Sequence, residues 1–159
     1  PLGAVVGKAS VINGLPKGSL GGTYSGNPVA CAAANATIDI MQEDEIWASA
    51  KHYAQVIETS IAQWQAEGIS PWLYGLTGIG AMRGIELRHA EYGSHPSVMA
   101  HVLTQARKRG LLLMPSGKHR HIIRLLPPLT TEPETLQTGL DILRDVLRTI
   151  PDQNPADWS

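Results

Sequence analysis

Apolar residues recur at two spacings in this chain, and each change of spacing marks a change of element. Val29, Ala33, Ala36 and Ile40 fall on one helical face. Asn27-Pro28 in front of them is a helix start, because Asn27 caps free N–H groups and Pro28 suits the first helical position. A second helical stripe runs through Ile46, Ala50, Tyr53, Ile57, Ile61 and Trp64, with Gly68 as its stop. His95-Pro96 opens a third helix bearing Val98, Val102, Leu103 and Ala106. Its last turn holds Arg107, Lys108 and Arg109, where cations complement the helix dipole, and Gly110 ends it. A fourth helix begins at the capping box Thr131-x-x-Glu134 and carries Leu136, Leu140, Leu143, Leu147 and Ile150.

Short apolar runs between these stripes predict strands at residues 1–7, 79–87, 111–114 and 121–126, the second preceded by a Thr77-Gly78 turn. A Gly- and Ser-rich loop occupies residues 13–26, and residues 151–159 form a polar tail expected to fray. Strands alternating with helices predict an α/β or α+β architecture. The boundary falls near residues 41–43. Residues 1–42 read as a piece of one domain and residues 43–150 as a complete smaller one.

Composition narrows the function classes. With 43% hydrophobic and 17% charged residues, the chain is globular rather than disordered. Thirteen basic and fourteen acidic residues leave a net charge of -1, without the basic excess that nucleic acid or an anionic membrane surface calls for. The single cysteine, Cys31, excludes an internal disulfide framework and suits a reducing, cytoplasmic setting. It lies in an alanine-rich helix and reads as a small buried packing residue. The longest apolar runs fall far short of the roughly 20 residues that span a bilayer. The chain opens on Pro1 rather than Met, so it is expected to begin inside a longer protein.

Two segments carry candidate chemistry. Gly21-Gly22-Thr23-Tyr24-Ser25-Gly26-Asn27-Pro28 combines glycines, which let backbone approach a ligand, with two hydroxyls and a helix N-terminus suited to an anion. A plain turn that starts a helix explains the same residues. The second is Arg124, on the strand face of Ile122 and Leu126. A guanidinium among aliphatic side chains needs a carboxylate partner, and its planar fork fits one with two parallel hydrogen bonds. That carboxylate belongs either to a substrate or to an Asp or Glu of the fold.

Other residues carry less. Gly78-x-Gly80-x-x-x-Gly84 has the wrong spacing for a dinucleotide fingerprint and leads into a strand. Arg83 and Glu86 are expected at the strand's exposed edge or at a domain contact. His119-x-His121 lacks a nearby third ligand, so no metal is expected.

Taken in order, Pro1-Leu2-Gly3-Ala4, the run from Gly21 to Ala34, Gly78-x-Gly80-x-Met82-x-Gly84-Ile85-Glu86-Leu87, Arg109-Gly110-Leu111 and Ile123-Arg124-Leu125-Leu126-Pro127-Pro128-Leu129 resemble the class III, or ω-, aminotransferases. The resemblance reaches nearly to Ile150, and its nearest subfamily is 4-aminobutyrate-like. It implies a fold-type I enzyme that uses pyridoxal 5'-phosphate and works as a homodimer. Residues 1–42 would end the large cofactor-binding domain, and residues 43–150 would form the small C-terminal domain.

The resemblance further implies that Thr23, with Gly22 beside it, binds the cofactor phosphate of the neighbouring subunit, and that Arg124 holds a substrate carboxylate. The implied reaction moves an amino group between an amine or ω-amino acid and a 2-oxo acid. The family's cofactor-binding lysine would precede Pro1, so no catalytic residue is expected in this chain and the chain alone should be inactive. An aminomutase or racemase of the same fold, or a non-catalytic dimerisation module, fits the same residues.

Overall fold

The computed structural model describes residues 2–19 and 21–158, which divide into two compact units, residues 1–44 and 45–159. In the first unit, α1 (Ala9–Ile12) is a single turn without a side-chain cap. Helix α2 (Pro28–Met41) starts where the sequence places it. The Asn27 side chain accepts from Val29 N at 3.0 Å and Ala30 N at 3.2 Å, and Pro28 occupies the first turn.

The expected strand at residues 1–7 does not form among the described residues 2–7, and Pro1 lies outside them. A strand is completed by a neighbour's backbone groups. Here Val5 and Val6 stay 82% and 96% exposed, so apolar composition alone does not make one. Cys31, on α2, is half-buried rather than buried.

The second unit is a two-layer α+β domain. Helix α3 (Asp44–Ala66) buries Tyr53, Ile57, Ile61 and Trp64 on one stripe and stops before Gly68, which takes φ +61°. Strands β1 (Leu73–Ile79) and β2 (Met82–Leu87) form a hairpin, followed by α4 (Pro96–Lys108), β3 (Met114–Ser116), β4 (Ile122–Leu125) and α5 (Pro133–Arg148). All neighbouring strands are antiparallel, in the order β1-β2-β4-β3. Ile85 and Leu87 of β2 and Ile123 of β4 face one side. They join Ile57, Val102, Leu143 and Leu147 of the three helices in one buried cluster. Three amphipathic helices of this unit thus cover one sheet face, and no described element of the same unit covers the other.

Three sequence expectations need correction here. The run at 79–87 is the second half of a hairpin. Thr77 and Gly78 lie inside β1, and the turn falls at Gly80-Ala81. Gly78 sits at φ +100°, where a Cβ would lie 2.2 Å from Met82 O, so its glycine serves a close strand approach. The run at 111–114 becomes strand only from Met114. The Thr131–Glu134 capping box does not form. Pro133 takes the first turn of α5, which makes Glu132 the N-cap without a side-chain bond, and the Thr131 hydroxyl donates to Pro128 O at 2.7 Å instead.

The C-terminal residues are also more ordered than their polarity suggests. Pro155 is buried in a 3-10 turn (Pro155–Asp157). Trp158 meets Trp72 edge-on at 6.5 Å, and Trp72 Nε1 donates to Pro151 O at 2.9 Å. Two indoles outweigh the surrounding polar residues.

Candidate functional site

The glycine-rich segment of the first unit is a tight turn. Ser25 N donates to Gly22 O at 3.0 Å and Asn27 N to Tyr24 O at 3.2 Å, while Gly21 and Gly26 adopt φ +142° and +71°. A Cβ on Gly22 would come 3.4 Å from Ser25 Oγ, an ordinary contact. Thr23 at the tip is exposed, and its hydroxyl bonds to none of the described residues.

One part of the expectation changes. Asn27 already accepts from the N–H groups of Val29 and Ala30, so the N-terminus of α2 is spent on its own cap. What remains for an anion is the Thr23 and Ser25 hydroxyls and backbone free of side chains at Gly21 and Gly22. No acidic residue lies between residues 21 and 28. This donor set fits a phosphate monoester through the loop rather than through the helix end.

In the second unit Arg124 lies on β4, paired with Gly84 of β2 on one side and Met114 of β3 on the other. Gly84 in turn pairs with Thr77, so Thr77, Gly84, Arg124 and Met114 form one row across all four strands. The adjacent row, Leu76, Ile85, Ile123 and Pro115, includes the buried Ile85 and Ile123. Arg124 therefore belongs to the open face, and it is exposed.

The structural ion pair that would explain Arg124 without a substrate is absent among the described residues. Other arginines are engaged. Arg83 pairs with Glu58 and staples the hairpin turn, donating to Gly80 O and Gly78 O at 2.9 Å each. Arg144 pairs with Glu67, whose carboxyl is held below its usual range by Gln63 and Arg144 despite some burial.

Beside Arg124 opens an apolar cavity of about 350 Å³, walled by Leu111, Leu113, Leu126, Pro127 and Leu136. Just before β4, His121 Nε2 lies 3.7 Å from Oε1 of Glu86 on β2. No group of three His, Cys, Asp or Glu side chains among the described residues is placed to hold a metal ion.

Sequence reasoning named Arg124 and the Gly22-Thr23 turn as candidates but not their surroundings. Thr77 and Met114 became neighbours of Arg124 only through strand register. The available signal was the alternation around Gly84, had the hairpin been recognised.

The family described as aminotransferase class III matches residues 1–147. The chain belongs to the class III aminotransferases. It is 53% identical over 147 residues to the 2-aminoadipate transaminase of Pseudomonas putida, covering 92% of this chain and 35% of that protein. It is 38% identical over 148 residues to the 4-aminobutyrate aminotransferase of Mycobacterium leprae, covering 92% and 33%. The chain thus spans about a third of the length of the curated relatives it matches.

Among solved structures, ornithine aminotransferase from Toxoplasma gondii superimposes with a TM-score of 0.69 over 89% of this chain and 32% of that one, at 20% identity. Its description reports partial pyridoxal phosphate occupancy at the active site. The fold of this class III member is accordingly that of part of a fold-type I aminotransferase. The family's cofactor is pyridoxal phosphate. No described helix is long and apolar enough to cross a membrane.

Proposed function

We propose that this chain is part of a pyridoxal-phosphate-dependent aminotransferase that moves an amino group between an amino-carboxylate donor and a 2-oxo acid. The observation that carries the reading is Arg124, an exposed cation on the open sheet face with no carboxylate partner among the described residues. Residues 1–42 belong to the large domain and residues 43–150 to the small one. The working enzyme is a cytoplasmic homodimer.

Bound pyridoxal phosphate supplies the electron sink for amino transfer. The Thr23 hydroxyl donates to a phosphate oxygen of the cofactor held by the neighbouring subunit, and Gly22 lets backbone approach it. Arg124 takes a substrate carboxylate on two parallel N–H bonds and so fixes where the amino or oxo carbon sits. The lysine that carries the cofactor lies outside residues 1–159.

Both relatives are named for amino acids with a carboxylate remote from an amine-bearing carbon, which is the chemistry Arg124 serves. With 53% against 38% identity, 2-aminoadipate is the first donor to try and 4-aminobutyrate the second.

The test uses the full-length protein. Borohydride reduction with pyridoxal phosphate, followed by peptide mass spectrometry, should place the pyridoxyl group on a lysine N-terminal to residue 1. A label on Lys8, or none, overturns the reading. In the same protein Arg124→Ala should lower kcat/KM for carboxylate donors about 100-fold, as expected for losing a charge-assisted pair, and leave the melting temperature unchanged.

A further inference from the structure

Glu86 and Arg124 occupy diagonal positions on the open sheet face. Gly84 pairs with Arg124 and Glu86 with Ile122, so the two charges stand two residues apart on adjacent antiparallel strands. Side chains this long reach each other across such a diagonal, and opposite charges there attract. Glu86 nevertheless makes no ion pair with Arg124, and its carboxylate lies instead 3.7 Å from His121 Nε2. Arg124 is left free for a ligand beside a fold carboxylate that would otherwise neutralise it.

Two features account for this. The first is His121. Its Nδ1 is buried with no hydrogen-bond partner, and Gly117 lies beside the ring, with Ile122 the closer neighbour of that glycine. A neutral imidazole carries one proton, and a walled-off Nδ1 without an acceptor favours placing it on Nε2, the nitrogen that faces Glu86. His121 thus turns Nε2 toward the carboxylate, at 3.7 Å, a polar contact longer than a hydrogen bond. The second is Ile122. Its Cγ2 leans over Gly84, where a Cβ would lie only 2.7 Å from it, and Ile122 and Gly84 hold the diagonal that crosses the one joining the two charges.

We propose that His121 is a positioning residue that holds Glu86 away from Arg124, so that the guanidinium stays available to a substrate carboxylate. The role acts through Glu86 and rests on the reading of Arg124 as the carboxylate site. Without His121 the carboxylate swings along the diagonal to Arg124 and competes with substrate.

The experiment is a cycle in the full-length holoenzyme with a 2-oxo dicarboxylic acid as acceptor. His121→Leu should raise KM for that acceptor about fivefold, the size of a cross-strand charge pair, with little change in kcat. Adding Glu86→Gln should return KM to the wild-type value, and Glu86→Gln alone should leave it unchanged. His121→Gln, which keeps a donor, should stay near wild type.

An unchanged KM in His121→Leu, or a double variant as impaired as His121→Leu, overturns the proposal. So does a Glu86→Gln variant that itself raises KM, and this variant is informative even if His121→Leu does not fold. Arg124→Ala separates the two readings. If that variant binds the acceptor normally, the carboxylate site itself is wrong. If it loses binding while the His121 cycle is flat, only the positioning role fails.

Discussion

The two units of this chain rest on different physics. Residues 45–159 bury Trp72, Ile57, Ile85 and Ile123 to 0% exposure in a single cluster fed by three helices and a sheet. None of the described residues between 2 and 44 is buried, and Val5, Val6, Val11, Tyr24 and Val29 all stand exposed. Yet the first unit has correct local chemistry: an Asn27 cap, a proline in the first turn of α2, and glycines where φ is positive. Local rules suffice to draw a helix and a turn, but long-range burial supplies most of the free energy that holds them.

The largest effect that would break this contrast is a core truncation. Ile123→Ala in the 159-residue chain should cost about 3 kcal/mol through lost burial and a cavity, whereas Val6→Ala should change stability by less than about 0.5 kcal/mol. Urea unfolding of both variants checks this, with amide exchange as a second reading. Amides of α2 should exchange far sooner than those of β2 and β4. Equal costs for the two substitutions would mean that the first unit has a core after all.

An intermediate effect probes the cap. Asn27→Ala removes the acceptor for Val29 N and Ala30 N and should destabilise α2 by about 1 kcal/mol. With none of that unit's described residues buried, little offsets the loss. It should appear as faster exchange of the first-turn amides of α2, with the urea midpoint of the second unit unmoved. A shifted midpoint would show that the cap supports the second unit's core.

The same contrast explains what was legible in the sequence. Helices α2, α3 and α4 were readable because cap, stripe and stop agree within one segment, as Asn27, the Tyr53–Trp64 stripe and Gly110 do. The strands were less so. The β1–β2 hairpin was hidden because Gly78 punctuates a strand and looks like a turn, and residues 2–7 look like a strand yet pair with none of the described residues. Pro133 displaced a capping box whose residues were all present.

At the candidate site, Arg124 was visible as a cation in an apolar run, and the Gly22-Thr23 turn as a loop without bulk. The row of Thr77, Gly84 and Met114 around Arg124, and the Glu86–His121 pair beside it, depend on strand register. A shift of one residue moves every side chain to the other face, and no local spacing fixes it.

The smallest expected effect concerns acid. All six histidines lie in the second unit, so any histidine-linked loss of stability should be confined to it. His101 is the one to watch. Its ring meets Trp158 edge-on at 5.9 Å, and its Nε2 sits 2.9 Å from Thr149 Oγ1. Burial lowers its pKa from 6.5, helped by the cations Arg109 and Lys108 and opposed by the contact with Thr149.

The folded state therefore prefers the neutral ring, while the unfolded chain takes up a proton near the ordinary value. The contribution of His101 is fully present above that value and is lost as pH falls below it, because the unfolded state then binds more protons. Urea midpoints at about pH 7.5 and about pH 5.5 should fall more steeply for the wild type than for His101→Gln. Equal slopes would mean that Trp158 does not keep the ring from water, and that the packed C-terminal turn opens before the core does.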